Sequence, residues 1–351
     1  MTKSNNILYI AENNFKRAVI IIVSMLEEII HSCYTGLGDC VIGFVSCFLL
    51  KTQLERWHTH QPIRLSLAWI GVSCPYINPD FMFRGRLSRR KTPTINCLYS
   101  GTDGTLAFSH YYHSPRLLYD ISRATHLRII INQYIGKCLI DAHTSREEIK
   151  ELTYQAYRYF WTHVIETGKL PFSILATTTT TTDISLCPPS LIPTTWDQIG
   201  VIYLRVGDLA LCQGQDVSME IRQHYQRLSS LDTQLPPFLI LLGDVDHHLL
   251  QQAYQSIYGQ THRQLIPLDG VIRHSSGPMD HEAWRIIFRD LFIMSHCRFF
   301  INLTNSSNFP RIVLFLRSET DTPPRQIYFD QQGQLVHITD LSIIFPKHYR
   351  F

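Results

Sequence analysis

The residues best suited to chemistry sit where apolar runs end. Arg205 stands at the tip of one such run, inside DQIGVIYLRVGDLALC from Asp197 to Cys212. A guanidinium there can grip two phosphate oxygens with a planar fork, and it stays charged in partly dry surroundings where a lysine could lose its proton. The plainer reading is a strand-end arginine paired with a surface carboxylate. Asp244 closes a second apolar run, PFLILLGD, and the stretch TNSSNF from Thr304 to Phe309 closes a third. Its Ser306 and Ser307 stand ahead of a helical pattern, with Asn308 and Phe309 opening it. They can be simple N-caps, or they can mark backbone N–H groups aimed at an anion. In the N-terminal half, TGLGD from Thr35 to Asp39 has two glycines ahead of a helical pattern. Such a turn lets a phosphate approach the backbone closely, and it can equally be only a turn.

Other patterns point elsewhere or nowhere. The chain lacks GxxxxGK[ST], and no GxGxxG follows an apolar run, which disfavours P-loop and dinucleotide-binding enzymes. LILLGDVDHH ends in Asp-x-Asp, so Asp244 and Asp246 could hold magnesium or manganese across a diphosphate. FRGRLSRRK, Phe83 to Lys91, concentrates five cations and reads as a solvated loop, with an acidic acceptor as the sharper alternative. His247-His248 and His58-x-His60 lack the spacing of a complete metal site. The nine cysteines are scattered without a CxxC pair and read as reduced thiols. Cys212 adjoins the arginine loop with no local feature to activate it.

These residues need a scaffold, and 351 residues suit two domains of about 150 each. A hydrophobic share of 45% with 17% charged residues describes a globular chain, and a net charge of +3 is too small for a dedicated nucleic-acid binder. The first half, 1–175, reads as α/β. It offers a strand in NNILYIAE, mixed apolar structure through FKRAVIIIVSMLEEIIHSC, a helix in CVIGFVSCFLLKTQLERW and a strand in RLSLAWIGVSC. SPRLLYDISRATHLRIIINQYIGKCLIDAHT reads as a pair of helical segments, and REEIKELTYQAYRYFWTHVIE as a long helix stopped by Gly168 and Pro171. Residues 176–198 combine six consecutive threonines with three prolines and read as a linker. From 199 to 330 apolar strands alternate with amphipathic helices, the pattern of a parallel sheet covered on both faces and hence of a Rossmann-like domain. The tail 331–351 completes a hairpin turning at Gln332-Gly333.

The apolar run Ala18–Met25 is cut by Glu27 and Glu28, well short of the roughly 20 residues a membrane span needs. EEIIHSC is also a poor signal-cleavage site. The sequons at Asn302 and Asn305 fall on the serine loop, where a glycan would obstruct a site. Together these features lead us to expect a soluble, cytoplasmic protein with no membrane span and no nucleic-acid partner.

The motifs resemble those of the fucosyltransferase group that includes the α-1,2, α-1,6 and protein O-fucosyltransferases. IGVIYLRVGD is similar to that group's Ile-Gly-Val-His-x-Arg peptide. RDLFIMSHCRFFINLTNSSNFPRIVLFL is similar to its later block, in which Asp-Leu-x-x-Leu-Ser precedes a strand and Ser-Ser-x-Phe opens a helix. GLGD resembles its Gly-x-Gly-Asn loop and LILLGD its strand ending in Ser-Asp. About 50 residues carry the match, in the family's order, between residues 35 and 318.

The resemblance implies the GT-B fold, two Rossmann-like α/β domains facing across a cleft, and inverting transfer of a sugar from a nucleotide sugar, GDP-fucose, to a glycan or protein hydroxyl without a metal cofactor. It implies that Arg205 steadies the departing diphosphate and that Asp290 accepts hydrogen bonds from the base. Ser306, Ser307, Asn308 and Phe309 would bind phosphate, Asp244 would lie at the donor, and Gly36, Leu37 and Gly38 would close over the diphosphate. Asp39 is the favoured general base, with Asp208 and Glu282 as alternatives. Tyr203 replaces the family histidine, Val206 a second arginine of many members, and Asp39 an asparagine. Those departures keep two rivals in view: a catalytically inactive binding protein, and a metal-dependent transferase using Asp244 and Asp246.

Overall fold

The structure is a computed structural model. It describes residues 26–34, 36–57, 62–70, 73–85, 92–97, 124–140, 144–170, 196–206, 216–259, 263–268, 279–304, 307–318, 326–331 and 333–338, with single positions at 108, 112, 117 and 119. The described residues fall into two compact units, one reaching Ile165 and the other running from Glu166 onward and taking in the short segment that ends at Tyr76.

In the first unit, β1 (Glu28–Cys33), β2 (Arg64–Trp69), β3 (Thr94–Cys97) and β4 (His126–Ile131) form a parallel sheet in the order β2-β1-β4-β3. Every residue of β1 is buried, as a central strand covered on both faces requires. Helix α1 (Leu37–Trp57) crosses from β1 to β2. It is long and apolar enough to cross a membrane by composition, yet most of it is buried within the unit. Its Phe44 meets Phe160 edge to face at 5.2 Å. The stretch Cys40–Leu50, enclosed this way, shows no polar face, and only the last turns carry Lys51, Glu55 and Arg56 toward water. Helix α2 (Arg146–Tyr159) starts at Ser145, whose hydroxyl accepts the Glu148 N–H at 3.1 Å, and Arg56 of α1 pairs with Glu148 at 2.5 Å.

The second unit holds β5 (Ile199–Leu204), α3 (Val217–Gln226), β6 (Phe238–Gly243), α4 (His247–Tyr258), β7 (Gln264–Leu265), α5 (His281–His296), β8 (Phe299–Asn302), α6 (Phe309–Ser318), β9 (Gln326–Gln331) and β10 (Gln334–His337). Its sheet runs β10-β9-β8-β5-β6-β7, parallel except for the β9-β10 hairpin, where Gly333 supplies a positive φ of 83°. Alternate β5 residues serve opposite faces: Ile202 and Leu204 join the cluster built with Ile221 and Tyr225 of α3 and Leu250 and Tyr254 of α4. Tyr203 instead meets Phe309 of α6, with ring centroids 5.8 Å apart. The buried Arg317 of α6 donates to the carbonyls of Met294 (2.7 Å), Cys297 (2.8 Å) and Arg298 (3.1 Å), the last turn of α5 and the residues just past it. A cation there complements the partial negative charge of a helix C-terminus.

The α/β class and the alternation of the second half stand as expected. Three local expectations change. His126–Ile131, read as helical, is strand β4, paired with β1 on one side and β3 on the other. Its isoleucine run is buried, and a short apolar run buried on both faces carries no alternation to separate strand from helix. The long helix after Ser145 stops as an α-helix at Tyr159 and widens into a π turn over Phe160–Val164. β7 keeps only two residues, ahead of Pro267. The expected strand at 5–12, Pro171 and most of the linker, 176–195, lie outside the described residues, as do Gln332 and 339–351 of the tail. Trp196–Gln198 form a 3-10 turn leading into β5.

Candidate functional site

In the second unit β5 and β8 are adjacent, and the chain leaves them in opposite directions: β5 leads toward β6 and β7, β8 toward β9. Loops that diverge at the carboxyl ends of two such strands open a crevice between them, which is where doubly wound sheets bind ligands. Of the residues singled out from the sequence, Arg205, Asp244 and Ser307 gather there.

Arg205 directly follows β5, and its backbone N–H donates to Thr304 Oγ1 at 2.7 Å. The Leu303 N–H donates to the Tyr203 carbonyl at 2.9 Å, so the two loops are stitched together by main-chain contacts. Asn302 folds the start of its loop, accepting the Thr304 N–H at 3.1 Å and donating to the Thr304 carbonyl at 2.8 Å. Asp244, just beyond β6, accepts the Val206 N–H at 2.8 Å and stands 3.8 Å from Arg205 Nε. On its other side the guanidinium reaches Ser307 Oγ at 3.5 Å, and Ser307 also accepts the Phe309 N–H at 3.3 Å where α6 begins. A quarter of the Arg205 side chain remains exposed. An ion pair this open adds little to stability, so what the contacts supply is the position of the charge.

Tyr203 lies on β5, two residues before Arg205. It is buried, and its hydroxyl bonds to Ser307. Burial raises its pKa far above the usual tyrosine value, outweighing the nearby Arg205 and the Ser307 bond, so it is a neutral hydroxyl. Asp290 lies in α5 with no exposed surface. One oxygen accepts from Arg289 Nε at 2.9 Å and Nη2 at 2.8 Å; the other has no partner. Burial raises its pKa to about 6, against the lowering pull of Arg289 and Arg285. In this structure the carboxylate therefore looks inward, and the expected contact with a nucleotide base finds no exposed oxygen.

Asp246 is not beside Asp244 in function. It caps α4, accepting the His248 N–H at 2.7 Å, while Asp244 is committed to Val206 and Arg205. Neither belongs to a metal-sized cluster of His, Cys, Asp or Glu among the described residues. Glu282 sits exposed on the first turn of α5, paired with Arg285 at 2.6 Å. Ser306, Asp208, Cys212, His58, His60 and residues 86–91 of the basic loop lie outside the described residues.

In the first unit the glycine turn follows β1 and runs straight into α1. Leu37 and Gly38 are buried in its first turn, Gly36 and Asp39 are half-buried, and the Gly36 carbonyl accepts the Cys40 N–H at 3.0 Å. The turn thus stands at the carboxyl end of β1, beside its parallel neighbour β4. An open cavity of about 680 Å³ adjoins it, lined in part by Tyr34, Asn96 and Arg128. Arg128 donates to Ser32 Oγ at 2.9 Å and also bonds the Tyr34 hydroxyl. It is a cation at a ligand-sized opening that sequence reasoning missed, because its segment reads as helix.

No protein-family model matches this chain, and no curated protein sequence matches it. Solved structures do. The crystal structure of NodZ α-1,6-fucosyltransferase soaked with GDP-fucose is similar over 89% of this chain and 99% of its own, at 14% identity and a TM-score of 0.46. POFUT1 in complex with GDP is similar over 86% of this chain and 98% of its own, at 10% identity and a TM-score of 0.41. A crystal form of POFUT1 with GDP-fucose is similar over 86% of this chain and 97% of its own, at 12% identity and a TM-score of 0.36.

Proposed function

We propose that this chain is a glycosyltransferase that moves fucose from GDP-fucose to a hydroxyl of a glycan or protein, with inversion and without a metal. One observation carries the reading: Arg205, Asp244, Thr304 and Ser307 converge where β5 and β8 part, at the sheet position suited to a nucleotide diphosphate. The motif resemblance supplies the donor. As the bond from the anomeric carbon to the diphosphate breaks, negative charge grows on the leaving oxygen, and the Arg205 guanidinium stabilises it. The acceptor oxygen bonds to the opposite face of the anomeric carbon, and its proton passes to a carboxylate, for which Asp39 is our assignment. Preorganised donors of this kind are worth about 2.7 to 4 kcal/mol each.

Titration calorimetry with GDP, GDP-fucose and UDP-sugars tests this, coupled to a donor screen read by released nucleotide. Saturable GDP binding with fucose transfer supports the reading, and no binding to any nucleotide ends it. A second reading has its own observation: Tyr203 is a buried, neutral hydroxyl where the family has a histidine. GDP-fucose bound but never turned over, across an acceptor panel, would favour a binding protein instead.

A further inference from the structure

We propose that His31, Cys33 and Cys40 hold a soft closed-shell cation, Zn²⁺ or Cu⁺, inside the first unit. His31 and Cys33 lie two residues apart on β1 and so share one face of the sheet. Cys40, in the first turn of α1, comes down over that face. The imidazole nitrogen and two sulfurs lie within 4.8 Å of one another, and each of the three residues is at most 2% exposed. Around an ion with bonds of about 2.0 Å to nitrogen and 2.3 Å to sulfur, such atoms stand about 3.5 to 3.9 Å apart. Small side-chain adjustments close the gap.

The second observation is His31 itself. Both ring nitrogens are buried and neither has a hydrogen-bond partner. An unsatisfied buried polar group is costly, and a metal bond relieves that cost at one nitrogen. The ring is also held in place: a Cβ on Gly43 would stand 2.4 Å from His31 Cε1 and 2.2 Å from the Ile131 carbonyl oxygen. Only a glycine lets α1 press so closely on that imidazole.

Two sulfurs and an imidazole select thiophilic ions over Mg²⁺ or Ca²⁺. Binding releases the thiol protons to solvent, and the cation compensates the thiolates it creates in a buried setting. Three protein ligands complete a trigonal Cu⁺ site, whereas Zn²⁺ takes a fourth. The ligands Cys33 and Cys40 bracket Tyr34–Asp39, so an ion here would clamp the glycine turn from beneath. Cys47 and Cys97, buried elsewhere in the unit, stand outside the cluster and serve as controls.

The test is metal content of the full chain purified under reducing conditions, followed by titration with Zn²⁺, Cu⁺ and Co²⁺. We expect one equivalent per chain, a thiolate-to-cobalt charge-transfer band, and affinity lowered by roughly tenfold or more in Cys33→Ser and Cys40→Ser but not in Cys47→Ser. Metal removal should lower the unfolding midpoint of the wild type and leave that of Cys40→Ser unchanged. Which ion is retained on purification, and which binds tighter, separates zinc from copper. Should the serine variants fail to fold, the cobalt spectrum of the wild type decides. The proposal is overturned by a reduced wild-type chain that takes up none of the three ions, by uptake indifferent to Cys40→Ser, or by an intact mass showing a Cys33–Cys40 disulfide.

Discussion

Asp244 serves two neighbours with its two oxygens: Oδ1 accepts the Val206 N–H at 2.8 Å, and Oδ2 faces Arg205 Nε at 3.8 Å. The carboxylate thereby fixes the backbone just after the arginine and orients the guanidinium it carries. Thr304 and Ser307 complete the frame from the β8 side.

Arg205→Ala should remove the charge and keep the frame. The bond to Thr304 uses the backbone N–H of residue 205, which alanine retains. We expect an unchanged circular dichroism spectrum and a fall in kcat/KM of roughly 100-fold or more. Turnover near wild type in this variant would refute the role of Arg205.

Asp244→Asn and Asp244→Ala should part company. Asparagine can still accept the Val206 N–H, whereas alanine leaves it unsatisfied, at about 1–3 kcal/mol in urea unfolding. Because asparagine also removes an anion that competes for Arg205, GDP should bind that variant at least as tightly as wild type. Weaker GDP binding to Asp244→Asn, measured by calorimetry, would mean the carboxylate contacts the ligand through something other than Arg205.

Asp246→Ala loses the cap of α4 and should cost about 1 kcal/mol of stability with donor affinity unchanged. Brief EDTA treatment should likewise leave GDP-fucose binding and transfer as they were. Loss of transfer under both treatments would install the metal-dependent reading in place of ours.

Asp290 predicts a pH signature. Burial lifts its pKa from 3.8 to about 6. Between those values the folded chain holds a proton that the unfolded chain has released, so this group makes the fold more stable as pH drops from 6 toward 4, and its unfavourable contribution is constant above 6. The span corresponds to something on the order of 3 kcal/mol. Asp290→Asn should abolish that component, seen as a wild-type-minus-variant difference in urea unfolding that changes between pH 4 and 6 and is flat from 6.5 to 8. A difference independent of pH would show that Asp290 is not the group responsible.

Much of the second unit is legible in the sequence because its strands are uninterrupted apolar runs and its helices carry their own start signals. Asp216, Asp246 and Asp280 cap α3, α4 and α5. The placement of Arg205 beside Ser307 follows from that alternation once the strand order puts β8 next to β5. The first unit is harder. HLRIII alternates only over its first four residues before the isoleucine run, and TINC is only four residues, so β4 and β3 leave weak signals. The His31, Cys33 and Cys40 grouping has spacings of two and seven, which mean nothing until one knows that the first pair lies on a strand and the third residue in a helix above it. The inward turn of Asp290 is also invisible in one dimension, since it depends on Arg289 being buried alongside it.

Arg317 lies at the opposite end of α6 from Ser307, about 15 Å along a ten-residue rod. By gripping the final turn of α5 and the carbonyls just past it, it makes that end a fulcrum. A small tilt permitted there would be magnified at the serine end, so a substitution buried far from any ligand would be felt as a misplaced anion seat.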